Sequence, residues 1–211
     1  MKAHDSSGFS LTEILVVITV IGILLAISVP LAGKAIQRSN QMECANILRT
    51  IYQGIELYAT DNGGNYPGPS WSNFSAGYRT GDTTHLSSHL APYLGYTETN
   101  QWKRMDELVS KAHSKAAGLT ETDVNPALYR INSTDYSTNF KRPFGYSGSW
   151  WSATSDDLNP KRTVRLSNPA SEWMLRNIDI GGEAVHGKIR NYLYFDGHVE
   201  AQPLAYLPTV N

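Results

Sequence analysis

The chain has 211 residues, 41% of them hydrophobic, which is room for one compact domain with a real core and too little for a large multidomain machine. Eighteen basic residues against nineteen acidic ones leave a net charge of -1, excluding a global field that would draw the protein to nucleic acid or anionic lipid. The single cysteine, Cys44, excludes an intramolecular disulfide and a CxxC metal knuckle.

In chain order the first element is apolar. From Ile14 to Gly33 no residue is charged, and a helix of that length covers a hydrocarbon core of roughly 30 Å. A cleaved secretory signal has a shorter apolar region of about 7–15 residues followed by a small-x-small site, whereas this run leads straight into a helical pattern. Lys2 precedes the run while Lys34 and Arg38 follow it, so flanking charge does not fix orientation. Immediately before it stands Gly8-Phe9-Ser10-Leu11-Thr12-Glu13, which places a carboxylate at a membrane edge, a costly position that marks function.

The string from Gly8 to Pro30 resembles the N-terminal signal of type IV prepilins and of the pseudopilins of type II secretion systems: a short polar leader, a Gly-Phe junction, a glutamate five residues on and a downstream proline. The resemblance implies that a prepilin peptidase cuts after Gly8 and leaves Phe9 as a methylated N-terminus. It also implies that Glu13 meets the N-terminal amine of an adjacent subunit during assembly. Physically, Gly8 lets an extended backbone enter a protease cleft. A carboxylate in lipid costs on the order of a few kcal/mol until a partner amine neutralises it. Snorkelling of Glu13 to the interface is the plain alternative.

Pro30 removes one backbone donor, so a kink or a locally melted turn is expected there. Beyond it Ile36, Ala45, Leu48, Ile51, Tyr52, Ile55, Tyr58 and Ala59 recur at three- and four-residue steps, an amphipathic face. One helix of about fifty residues follows from this periodicity, apolar all round in its first half and one-sided in its second. The expected organisation is a leader over 1–8, a membrane and assembly segment over 9–33, an amphipathic segment over 34–60 and a head over 61–211. The fold class is α+β and pilin-like, the long helix packed on a small antiparallel sheet.

Asp61-Asn62-Gly63-Gly64 stops the helix, and with Tyr66-Pro67 resembles the same place in major pseudopilins. Short helices are expected over 86–96 and 101–117, and strands over Phe140–Tyr146, Thr163–Leu166, Trp173–Ile180 and Tyr192–Phe195. Asp196-Gly197 predicts a hairpin with a type I′ turn. With His186 the same dipeptide completes a spacing that resembles the H-x9-DG signature of a domain attached to prepilin-type N-termini.

Among candidate sites, the resemblance to major pseudopilins points to calcium in the C-terminal region and nominates Asp179 and Asp196. Turn chemistry accounts for Asp196 and His186 without an ion, and is the stronger account. His85 and His89 have the spacing of a helical zinc pair but lack the glutamate and a third ligand. Tyr146, Trp150 and Trp151, with Trp71 and Trp102, could stack bases or sugars, though core packing is the commoner use. No nucleophile elbow or phosphate loop is present, so a catalytic reading has no constellation to stand on.

The expectation is therefore a structural subunit of a type II secretion pseudopilus or a related type IV pilus. It would be held in the cytoplasmic membrane by a single pass, head outward, until an assembly platform stacks its helix against those of other pilin-like subunits in a periplasmic or surface filament. The alternatives are a membrane-tethered binding module and a DNA-uptake or adhesion pilin, and the balanced charge argues against nucleic acid as a partner.

Overall fold

The structure, a computed structural model, describes residues 10–132, 142–145, 159–163 and 168–205. Gly8 and Phe9, residues 140 and 141 with Tyr146 of the expected strand over 140–146, residues 164–166 of that over 163–166, and Trp150 and Trp151 lie outside these residues, while 142–145 form a turn rather than the expected strand.

The chain divides into two compact units, residues 1–39 and 40–211. Helix α1, Leu11–Asp61, runs through both. In the first unit its large apolar side chains from Ile14 to Leu31 are about half exposed or more. This segment is long and apolar enough to cross a membrane. Its few polar side chains are satisfied internally, the hydroxyls of Thr19 and Ser28 donating to the carbonyls of Leu15 and Leu24. Pro30 does not melt a turn, since the helix is unbroken through it. One missing N–H removes one of many bonds in so long a ladder.

The second unit is the head. Here α1 buries Cys44, Ile47, Leu48, Ile51, Gly54, Ile55 and Ala59, which are the three- and four-residue steps of one face. Ile36, expected on that face, is 61% exposed, because the buried stripe begins only at Cys44. The helix ends with Gly63 and Gly64 at positive φ, the Gly64 N–H donating back to the Ala59 carbonyl.

The stripe packs on a five-stranded antiparallel sheet in the order β1-β4-β5-β8-β9, comprising Asn73–Ser75, Ala127–Ile131, Trp173–Asn177, Ile189–Tyr194 and Val199–Pro203. Alternation decides which side chains face the helix: Tyr129, Ile131, Leu175 and Leu193 join the core, while Arg130 and Arg176 stand on the other face. Two small two-stranded ribbons complete the strands, β2 (Gly77–Tyr78) with β3 (Lys103–Arg104) and β6 (Asp179–Ile180) with β7 (Glu183–Ala184). The expected strand over 173–180 is thus two, divided at Ile178.

Between β1 and β4 lies the helical insertion. The element expected over 86–96 is an α-turn, α2 (Leu86–Leu90), tightening into a 3-10 turn over Ala91–Leu94, where Pro92 cannot donate to an α ladder. The helix expected over 101–117 is corrected: β3 and a 3-10 turn, Asp106–Leu108, occupy its first part. Only α3, Lys111–Ala117, is α-helical, starting where the Ser110 side chain caps the His113 N–H.

The β8–β9 hairpin forms where expected, with a different turn. Asp196 keeps a negative φ and only Gly197 is left-handed, at +87°. Gly197 N–H donates to Tyr194 O and Tyr194 N–H to His198 O, each at 3.0 Å, which is a three-residue loop with a glycine bulge rather than type I′.

Candidate processing and assembly site

At the start of α1, Ser10 holds the N-cap position and Glu13 the third helical one. The Glu13 carboxylate reaches back and accepts from the Ser10 N–H at 2.8 Å, while the Ser10 hydroxyl pairs with that of Thr12 at 2.7 Å. This is the acidic half of a capping box. It satisfies one of the free N–H groups of the helix terminus and sets a negative charge where the helix dipole is positive. The sequence alone suggests for Glu13 either a charge awaiting another subunit or a side chain snorkelling to the interface. The pattern Ser-x-x-Glu before an apolar run was the signal that both readings overlooked.

C-terminal to this helix start, the large apolar side chains of the first unit are about half exposed or more from Ile14 through Leu31. A surface of this kind is tolerated in lipid or against other helices and not in water.

In the head, the residues singled out at the C-terminal end do not come together. His186 precedes β8 and Asp196-Gly197 follow it. The His186 ring stands edge-on to His113, centroids 6.4 Å apart, and its Nε2 is buried without a hydrogen bond among the described residues. Asp196 instead holds its own turn. Its Oδ1 accepts from the His198 N–H at 3.1 Å and from His198 Nδ1 at 2.5 Å, and the His198 ring stacks on Tyr194 at 4.2 Å.

Nor do Asp179 and Asp196 build a calcium cradle. Both oxygens of Asp179 accept from Arg190, at 2.8 and 2.7 Å, and this guanidinium holds the carboxyl below its usual range. No group of three or more His, Cys, Asp or Glu gathers among the described residues, and calcium needs six or more oxygens. The residues present therefore do not fit the ion. His85 and His89 diverge too: His85 Nδ1 meets Asp82 at 3.0 Å, while His89 Nε2 meets the Thr83 carbonyl at 3.3 Å.

What the sequence did not announce is a buried polar cluster where α1 meets the sheet. Cys44 Sγ accepts from Asn177 Nδ2 at 2.9 Å and lies 3.5 Å from the Tyr129 hydroxyl. Asn177 Oδ1 accepts from the Asn191 N–H, and Asn191 Nδ2 donates to the Gln41 carbonyl of α1 at 3.1 Å. His113 joins through Nδ1 to the Ser110 hydroxyl at 2.8 Å and through Nε2 to Asn177 at 3.5 Å. Burial, then the neighbouring His186, push the His113 pKa down to about 4, and burial pushes the Cys44 thiol up. Every member is enclosed, so the cluster locks helix to sheet and offers no substrate a path.

No curated protein and no solved structure matches the chain. Residues 4–29 match the family model of the prokaryotic N-terminal methylation motif, spanning the Gly8-Phe9 junction, the Ser10/Glu13 cap and most of the exposed apolar helix. The chain therefore carries, at its N-terminus, the prepilin processing signal of type IV pilin-like proteins.

Proposed function

We propose that the protein is a structural subunit of a type IV pilus-like filament, a pseudopilin of a type II secretion system or a close relative of one. A prepilin peptidase cleaves it after Gly8 and Phe9 becomes the methylated N-terminus. The mature chain waits in the cytoplasmic membrane with its head on the far side, until an inner-membrane platform moves it into the filament. The observation that supports this reading is the coincidence of the methylation motif with a helical segment whose large apolar side chains are about half exposed or more. Out of lipid, that surface demands neighbouring helices, and at about 25 cal/mol per Å² its burial supplies most of the assembly energy. The preference for a secretion pseudopilus rests on Asp61-Asn62-Gly63 and Tyr66-Pro67, with the His186, Asp196 and Gly197 spacing as a second resemblance.

Intact-mass and N-terminal analysis of the membrane protein, with and without a co-expressed prepilin peptidase, tests the proposal. Its expected product begins at N-methyl-Phe9, and Gly8→Ala abolishes it. A chain cut after Ala26 or Ala32 would return the protein to ordinary secretion.

A further inference from the structure

On the sheet face turned away from α1, two arginines stand opposite one another. Arg130 of β4 and Arg176 of β5 are direct cross-strand partners, in a row that runs from Asn73 through both arginines to Tyr192 and Glu200. Like charges so placed repel, and a fold keeps such a pair at a cost. One carboxylate, Asp179, relieves it only in part. Arg190 takes Asp179 with two hydrogen bonds, leaving Arg176 at 3.9 Å from that carboxylate. Among the described residues Arg176 otherwise donates to the Asn177 carbonyl, at 3.2 Å. Arg130 has neither a hydrogen bond nor an ion pair among the described residues, and Glu200 is held off by the intervening Tyr192.

The pair is also held in place. The Arg176 guanidinium lies 6.0 Å from the centre of the Trp173 ring, which meets Tyr192 edge-on at 6.1 Å. Its side chain is 24% exposed, so it is reachable from solvent yet partly stripped of water. A guanidinium fixed by an aromatic face and sharing its counterion with a second arginine has little freedom left to lose on binding.

We propose that Arg130 and Arg176 form a carboxylate-binding site that receives an acidic side chain of a protein partner docked on this face of the sheet. Two adjacent guanidinium forks match the two oxygens of a carboxylate, and partial burial strengthens each charged hydrogen bond. Charge complementarity selects the partner: Arg130, Arg176 and Arg190 have the single carboxylate of Asp179 among them, and the excess of positive charge suits one or two acidic side chains. Nucleic acid draws its affinity from many phosphates and would find too few contacts here. The site stands apart from the assembly reading, since it uses none of α1.

The test uses the full mature chain in detergent micelles, titrated with hexaglutamate, hexaglutamine, inorganic phosphate and single-stranded DNA. The expected result is saturable binding of hexaglutamate alone, weakened at least tenfold by Arg130→Gln and by Arg176→Gln, with Arg130→Lys intermediate. Arg130→Gln should also raise the melting temperature of the free protein and abolish the further rise that hexaglutamate gives the parent. Three outcomes overturn the proposal: no saturable hexaglutamate binding by the parent chain; binding unchanged in both glutamine variants, or an Arg130→Gln chain that melts lower and binds as before; or phosphate or DNA bound more tightly than hexaglutamate. If Arg176→Gln fails to fold, Arg176→Lys replaces it, and a Kd within twofold of the parent would again overturn the proposal.

Discussion

Gly197 lies so close to Tyr52 that a β-carbon added at 197 would fall 2.5 Å from Cε1 of the tyrosine ring. The glycine is thus required twice, once by its φ of +87° and once by the helix beneath the hairpin. Gly187 separates the two requirements: its φ is +77°, and nothing lies within 4 Å of its added β-carbon. Gly187→Ala should cost about 1 kcal/mol for the backbone alone. Gly197→Ala should cost about 2–4 kcal/mol, with overpacking added. Combining it with Tyr52→Ala should recover the difference, as a double-mutant cycle in urea unfolding would show.

Stability should fall as pH drops from about 6.5 to 4. His113 is neutral and buried when folded, with its pKa pushed down to about 4, whereas an unfolded histidine titrates near its ordinary 6.5. In that window the unfolded chain binds more protons, so the contribution of the neutral ring is complete above about 6.5 and is lost as pH falls through the folded pKa. The loss amounts to about 3 kcal/mol. His113→Gln should flatten the profile measured by urea unfolding in detergent. Ser110→Ala, which removes both the cap and the hydroxyl that His113 Nδ1 meets, should lower stability by about 1 kcal/mol or more at neutral pH.

Glu13 should prove separable into two roles. Glu13→Gln keeps an oxygen for the Ser10 N–H and loses the charge; Glu13→Ala loses both. Peptidase processing should survive in each. Filament yield, scored by shearing and immunoblot, should collapse in each if charge is what a neighbouring subunit reads. Normal filaments from Glu13→Gln would leave Glu13 with its capping role alone.

Asp179 should matter to stability and not to metal. Asp179→Asn strands the half-buried Arg190 guanidinium, and about 1–3 kcal/mol is expected to be lost. Adding calcium or chelator should leave the melting temperature of the parent chain unchanged. A rise of several degrees with calcium would restore a cation to this end of the head.

Local chemistry made α1 legible: its apolar run, its two-fold change of character and the Asp61-Asn62-Gly63-Gly64 stop are all contiguous in sequence. The same holds for β8, β9 and the glycine between them. The type of that turn was misread, because Asp-Gly serves a three-residue loop as well as type I′, and Tyr52, which leaves room for no β-carbon at 197, is remote in sequence. The buried polar cluster was illegible for a similar reason. Cys44 and Asn177 are 133 residues apart, and neither Ser110 nor His113 has a local pattern that foretells burial. Residues 101–110 misled because Met105, Leu108 and Val109 keep a helical spacing while packing from a 3-10 turn and the two residues that flank it.

The attachment of α1 to the sheet has a mechanical meaning. Seven buried residues from Cys44 to Ala59, with the Asn191 clasp on the Gln41 carbonyl, engage the head along the length of one helix face. A pull along the helix axis within this unit loads these contacts in parallel, as shear, and none can yield before its neighbours. Peeling the helix sideways would break them one after another. The head is therefore built to be dragged by its helix and to resist least when that helix is lifted away.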